Sequence, residues 1–166
     1  MAVADLILLE EDHARFTEIL DKLKEDANAK VVFLFDKNGQ QLCSAGEVEG
    51  VDPTSLASLT AGNVAATDGL AKLLGEREFS ILFHEGEHDN LHINVVADSA
   101  ILLVLFDERS SLGLVRLRVK KASGELNEVF ARIMSKVEKE RAAAGAAFES
   151  PFAEITDDDI DSLFSE

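Results

Sequence analysis

Two runs of consecutive apolar residues constrain the fold of this chain more than any other feature. Val31–Phe35 and Ala100–Phe106 are apolar at every position, without the polar alternation of a strand that has one face in water. A strand of this kind is covered on both faces, so other layers must pack on each side of its sheet. We therefore predict that the two runs are central strands that lie side by side, with helices on both faces.

Turn signals and helical periodicity divide the rest of the chain around these two strands. Asn38 and Gly39 form a dipeptide that favours tight hairpin turns, which predicts an edge strand directly after it. The stretch VRLRVKK alternates as a strand would, but no turn residue separates it from the helical pattern that follows, so we favour a helix. The other predicted elements are helices at Glu11–Ala27, Pro53–Leu74 and Leu112–Val137 and strands at Gln40–Ala45, Phe79–His84 and Leu91–Val96. This order, αββαβββα, predicts an α+β fold with one five-stranded antiparallel sheet and helices on both faces.

The charge and cysteine content exclude several classes of function. The chain carries 32 acidic and 16 basic side chains, a net charge of -16 that repels nucleic acid and anionic lipid. No apolar run approaches the roughly 20 residues that a membrane span needs. A single cysteine, Cys43, excludes an internal disulfide and a multi-thiolate metal site. Because the N-terminus also lacks the basic region of a secretion signal, we expect a cytoplasmic protein that neither binds nucleic acid nor inserts into a membrane.

Motifs that carry catalysis are missing. The sequence has no GxxxxGK[ST] loop, no GxGxxG, no GxSxG and no HExxH, so we predict no enzyme activity, no catalytic residue and no cofactor. His84, His88 and His92 are spaced by four, a metal-binding pattern on a helix, but this stretch is a predicted hairpin where solvated histidines and no metal are expected. Asp157–Asp159 precede an apolar pattern and are expected to start a helix instead of binding a cation. An enzyme that uses the histidine hairpin is the alternative.

The second predicted helix has an unusual surface. Between Thr54 and Ala71 it carries one charge, Asp68, where a helix face in water would carry several. Its leucines gather on one side, and small residues that would let another backbone approach closely form a stripe nearly opposite. We predict that the stripe is a platform for a second copy or a partner, although burial of both sides within the domain is an alternative. The stripe consists of Ala57, Ala61, Ala65 and Gly69.

The C-terminal part differs from the rest in composition. Residues 141–166 contain one basic and seven acidic side chains and follow an Ala/Gly-rich stretch that reads as a hinge. We therefore divide the chain into a domain at 1–140 and a flexible acidic tail at 141–166 with a short partner-binding helix. A merely solubilising tail is the alternative. The apolar residues expected to dock on a partner are Phe152, Ile155, Ile160, Leu163 and Phe164.

Arg116, Arg118, Lys120 and Lys121 form the one basic cluster in the acidic body. The cluster is typical of a solvated helix face. The alternative is a surface that docks an acidic partner or the tail.

Four stretches of the sequence together resemble one known family. They are KVVFLFDKNGQ, TSLASLTAGNVAATDGLAKLLGE, LVLFDERSSLGLVRLRVKKAS and the ending SPFAEITDDDIDSLFSE. In this order, and with the predicted elements, they are similar to the MglB family of Roadblock-domain proteins of bacterial gliding motility and cell polarity. The likeness extends from about Glu11 to the end of the chain.

The resemblance implies a partner and a mechanism. It implies a homodimer in which sheets join edge to edge and second helices lie side by side, so that two copies hold one small Ras-like GTPase, MglA. The family activates GTP hydrolysis by positioning the GTPase's own arginine and glutamine. Ala65 and Gly69 match its contact stripe, and Ala61 is inferred to belong to it because it lies on the same face. Its C-terminal segment is associated with a second GTPase site and with nucleotide turnover. A location at a cell pole is also implied.

Other functions stay open beside this one. A Roadblock dimer scaffold could bind a GTPase or a polarity complex without activating it. Arg77 and Arg109, in predicted loops, are candidates for an arginine supplied to the GTPase. A small-molecule sensor is a further alternative, although no convergent polar cluster is evident in the sequence.

Overall fold

Two fully buried strands, β1 (Val31–Asp36) and β5 (Ala100–Phe106), form the centre of the sheet and pair antiparallel along their length. The computed structural model describes residues 10–47 and 49–152, with side chains as far as residue 145. Every residue of both strands is buried, including the carboxylate-bearing Asp36. The predicted central pair is confirmed.

The other three strands extend this pair to an antiparallel sheet of five, in the order β2-β1-β5-β4-β3. On one side lies β2 (Gln41–Ala45), the predicted edge strand. On the other side β4 (Asn90–Val96) pairs with β5, and β3 (Ile81–Glu85) forms the second edge. Edge strands have one neighbour, and β3 is accordingly the most exposed strand of the sheet.

Helix α2 (Pro53–Leu74) covers one face of the sheet. Alternate residues of the strands point to this face, since the side-chain period of a strand is two. The inward side of the helix joins them in one buried cluster. Its members include Val31, Phe33, Phe35, Ile93, Ile101, Leu103 and Leu105 from the strands and Ala57, Ala61 and Val64 from the helix.

Helix α1 (Glu10–Asp26) and the part of α3 (Leu112–Phe152) up to residue 131 lie on the opposite face. The rings of Phe16 in α1 and Phe130 in α3 have centroids 5.0 Å apart, which places the two helices in contact. The predicted α+β fold with helices on both faces is therefore confirmed. None of the helices within the described ranges is long and apolar enough to cross a membrane.

Helix α3 is longer than the periodicity indicated. It continues through the Ala/Gly-rich stretch, where a hinge was expected, and the described helix ends at Phe152. Alanine has the highest helix propensity and a single glycine, Gly145, is tolerated, so the stretch can stay helical. Backbone contacts divide the chain into compact units at 1–131 and 132–166. The boundary at residue 140 and the flexible tail stay predictions.

The turn between β1 and β2 fits the predicted hairpin. Gly39 has φ +88°, a left-handed conformation that favours glycine, and a Cβ there would lie 3.2 Å from the Cα of Ser58 in α2. The Asp36 carboxylate accepts hydrogen bonds from the backbone N–H groups of Asn38 and Gln40, both at 2.9 Å. The close approach to α2 and the turn geometry therefore both require glycine at this position.

Truncation of a central core residue should destabilise the whole unit. Leu103 is 0% exposed at the centre of β5, and we expect Leu103→Ala to lower the free energy of unfolding by about 2–5 kcal/mol because it leaves a cavity. The measurement is urea denaturation followed by circular dichroism. Leu117→Ala is the matched control, since Leu117 is 62% exposed, and it should change stability by less than about 0.5 kcal/mol. Equal losses in both variants would contradict the assigned core.

Candidate functional site

Helix α2, which carries the predicted platform, is fixed at both ends. The carboxylate of Asp52 accepts hydrogen bonds from the backbone N–H groups of Thr54 and Ser55, at 3.3 and 3.4 Å, and Pro53 opens the first turn. The Ser55 hydroxyl also donates to this carboxylate at 2.7 Å, and these hydrogen bonds lower the pKa of Asp52. At the other end Gly75 adopts a left-handed conformation, φ +74°, that closes the helix.

Half of the small-residue stripe on α2 faces the sheet and not the solvent, so the helix is oriented differently from the prediction. Ala57 is 3% exposed and Ala61 is 8% exposed, because both pack against the sheet. The expectation that they face outward is therefore wrong. Large side chains such as Phe33 and Leu103 already fill the sheet side of this interface, and small residues on the helix let the two layers approach closely.

The other two residues of the stripe, Ala65 and Gly69, are exposed on a flank of the helix. A Cβ on Gly69 would meet nothing within 4 Å, so this flank is open. Four of the leucines that gather on the other side of α2 lie on the adjoining outer surface. Leu59, Leu70, Leu73 and Leu74 are 75%, 55%, 83% and 69% exposed. We call these four leucines with Ala65 and Gly69 the α2 surface.

Sequence periodicity did not identify the leucines as surface residues, although α2 carries only two charged residues, Asp68 and Lys72. A helical pattern shows that two faces differ but not which of them meets the sheet. An exposed row of leucines on a helix with so few charged residues is unusual for a protein in water and marks an interaction surface. The α2 surface is therefore a stronger candidate for partner binding than the small residues alone.

Strand β3 is the edge strand at the border of the sheet face that α2 covers. The side chains of Asn63 in α2 and His84 in β3 form a hydrogen bond of 3.2 Å, which connects the helix to the edge strand. Ile81 and Phe83 of β3 are 48% and 36% exposed and point to the opposite face, where the Phe83 ring stacks on Phe106 at 6.2 Å. An exposed strand edge with apolar residues is a second feature that favours association with another chain.

The three histidines of the predicted hairpin do not come together. His84 and His92 point to opposite faces of the sheet, since Phe83 and not His84 is the partner of His92, and His88 lies in the turn between β3 and β4. His92 is 1% exposed, so the expectation that all three are solvated is wrong for this residue. It lies on β4, a strand with neighbours on both sides. Within the described ranges no group of three or more histidine, cysteine or acidic side chains is arranged to hold a metal.

The candidate arginines differ in their surroundings. Arg109 donates from Nε to both carboxylate oxygens of Asp107, at 3.0 and 3.2 Å, and this interaction raises the pKa of Arg109 and lowers that of Asp107. Arg77 is exposed in the loop after α2. Arg109 would have to leave Asp107 before it could reach a partner.

The predicted tail residues cannot be placed. Ile155, Ile160, Leu163 and Phe164, with Asp157–Asp159, lie outside the described residues, and only the backbone of Phe152 is described. Their role in partner binding stays a prediction.

The fold agrees with the family found by comparison. Residues 15–106 match the model of the Roadblock/LC7 domain, a stretch that includes the entire sheet and α2. This match covers more than half of the chain. The chain belongs to the Roadblock/LC7 domain family.

Within that family the chain is similar to MglB. It is 56% identical to Myxococcus xanthus MglB, over 77% of this chain and 96% of that one, with a TM-score of 0.73. For the gliding protein MglB of Thermus thermophilus the identity is 34%, the coverage 75% and 95%, and the TM-score 0.69. A structure described as MglB with tetrameric arrangement is 32% identical over 78% and 97%, with a TM-score of 0.71. The predicted MglB resemblance is confirmed, and the comparison with curated protein sequences gave no match.

The single thiol should be unreactive in the folded protein. Cys43 is 5% exposed on β2, and burial, with a smaller effect from the negative charge of Asp21, raises its pKa to about 12. The reactive thiolate is therefore scarce at pH 8. We expect alkylation by iodoacetamide, followed by mass spectrometry, to be slow in buffer and fast in urea. Equal rates in both solutions would show that β2 opens readily.

Proposed function

We propose that this protein is a regulator of a small Ras-like GTPase, and that it accelerates GTP hydrolysis by the GTPase without taking part in the chemistry. The observation that carries the proposal is the α2 surface, an exposed apolar face on a chain that is 56% identical to an MglB. The partner is MglA, as the family resemblance implies. The setting is bacterial cell polarity and motility, with the protein at a cell pole.

Self-association accounts for part of the exposed apolar area. Two copies whose α2 helices lie side by side would cover leucines of the α2 surface, and two β3 edges that meet would satisfy their free backbone groups. The small side chains of Ala65 and Gly69 let another chain approach the helix backbone closely. In the proposed complex, two copies form one continuous platform and hold a single GTPase.

Activation then follows from positioning. Phosphoryl transfer needs little covalent chemistry from the protein, so ordering an arginine and a water-orienting glutamine of the GTPase can raise the rate by roughly 10³ to 10⁵. An arginine from the present chain is not required. The ion pair of Arg109 with Asp107 supports a mechanism without an arginine from this chain, because the Arg109 guanidinium is already bound to a carboxylate.

The C-terminal segment has a separate role in this proposal. Its apolar residues, from Phe152 to Phe164, alternate with acidic ones and form a peptide that can bind a groove on the GTPase away from the nucleotide. Binding at that second site would promote nucleotide exchange. The alternative function is a Roadblock dimer that binds the GTPase or a polarity complex without activation.

A large charged side chain on the α2 surface should block the GTPase. We expect Ala65→Arg and Gly69→Arg to reduce stimulation of GTP hydrolysis by about tenfold or more, because a central contact is lost, while the fold is kept. Hydrolysis is measured with purified MglA at fixed concentration. Ala131→Arg is the matched control, since Ala131 is exposed on α3, and should stimulate as the unchanged protein does.

Light scattering on the same variants separates loss of the dimer from loss of GTPase binding. Normal stimulation by both Ala65→Arg and Gly69→Arg would remove the α2 surface from the proposed complex.

Truncation after Ala144 separates the two proposed roles. We expect the shortened chain to stimulate hydrolysis as the full chain does, since the α2 surface is intact, but to lose its effect on nucleotide exchange. Release of a fluorescent GDP analogue measures exchange, and phosphate release measures hydrolysis. Stimulation by the full chain alone would assign activation to the tail, and binding without stimulation by either form would establish the scaffold.

A further inference from the structure

A groove of about 500 Å³ lies on the sheet face opposite α2, between the first half of α3 and strands β3 and β4. Ile81 of β3 and Val119 of α3 supply apolar walls, and His92 of β4 is part of the lining. Arg116 and Lys120 of α3 also line it. The volume is in the range of sites that hold small molecules, which combine apolar walls with a few polar groups.

His92 is the least satisfied polar group in this groove. It is 1% exposed, and neither Nδ1 nor Nε2 has a hydrogen-bond partner among the described residues. A neutral imidazole has one N–H donor and one acceptor nitrogen, and most buried groups of this kind are paired. Phe83 and Val104, its neighbours across the strands, offer no polar side chain. A polar ligand atom that reached either ring nitrogen would supply the hydrogen-bond partner that the protein does not offer.

The charge of the groove favours an anion. Arg116 and Lys120 lie one helical turn apart, so both side chains are on the same side of α3. Neither has a carboxylate partner within 4.0 Å in the described part of the chain. Burial, and then the positive charge of Arg116, lower the pKa of His92, which keeps the imidazole neutral near pH 7. Two unpaired cations thus stand beside a free N–H donor in a chain of net charge -16.

The groove is open and part of its lining is fixed. Asn94 Nδ2 donates to Ser123 Oγ at 2.7 Å, which connects two lining residues of β4 and α3. Gly124 lines it as well, and a Cβ at this position would meet nothing within 4 Å. Glycine within a helix is destabilising relative to alanine, and here it keeps space free above the helix.

We propose that this groove binds a small amphipathic anion with a carboxylate or phosphate group at one end and a short apolar chain at the other. The anionic group accepts a hydrogen bond from His92 and is neutralised by Arg116 and Lys120. The apolar chain lies along Ile81 and Val119. The site is on the other side of the sheet from the α2 surface and does not depend on the proposed GTPase.

Titration of the full chain with octyl phosphate and with octanoate tests this site. Heteronuclear spectra of the ¹⁵N-labelled protein should show shifts of the His92 ring nitrogens while those of His84 and His88 stay in place. Lys120→Glu should weaken binding about tenfold or more, since an attractive charge becomes repulsive. Lys121→Glu is the matched control, since Lys121 is exposed on α3 but lines a different surface, and its affinity should stay within about twofold.

A second variant tests whether the ligand occupies the groove. Gly124→Leu should abolish binding, because its side chain occupies the groove, while circular dichroism and thermal unfolding show a folded protein. Inorganic phosphate alone should bind far more weakly than octyl phosphate, since it has no apolar chain.

Four results would overturn the proposal. The first three are the absence of any His92 shift with both probes, equal losses in Lys120→Glu and Lys121→Glu, and unchanged binding by Gly124→Leu. Binding to vesicles of phosphatidylserine without binding to either monomeric probe would assign the cations to a membrane surface and also overturn it. None of these measurements includes the GTPase, so their outcome is independent of the proposed regulatory function.

Discussion

The pairing of β1 with β5 is the interaction on which the rest of the structure depends. Both strands are buried along their whole length, and each contributes large apolar side chains to both faces of the sheet. Burial of such a pair is strongly favourable, but only if each face is covered by another layer. One helix on one side and two on the other provide that cover, and the less apolar strands are then left at the edges.

The close packing of α2 on the sheet explains the surface that it presents to solvent. The sheet side of the interface is occupied by bulky residues such as Phe35 and Ile101, so the helix meets it with Ala57, Ala61 and Val64. Leu59, Leu70, Leu73 and Leu74 of the same helix then lie on the outside. A small-residue face thus stabilises the domain, while the exposed leucines give α2 the capacity to bind another chain.

The fold followed from the sequence because its signals are local. Continuous apolar runs, the Asn38-Gly39 turn and helical spacing each depend on a few neighbouring residues, and they place the elements close to their observed bounds, except at the C-terminal end of α3. The pairing of the two apolar runs could be predicted because a strand that needs cover on both faces lies at the centre of its sheet, and two central strands are neighbours. The orientation of α2 did not follow, since it depends on the volume of side chains from distant strands. The burial of His92 and its position beside Arg116 depend on the same long-range packing and could not be read from spacing.

Strand β3 shows how one edge element contributes to both faces. Ile81 borders the groove beside α3, whereas His84 reaches Asn63 of α2 on the other side. This division follows from the alternation of side chains along a strand. A shift of one residue in the pairing with β4 would exchange the two sets and remove both contacts, so the register of β3 must be held firmly. The stacked rings of Phe83 and Phe106 anchor this register, because they connect the edge strand to the buried centre of the sheet.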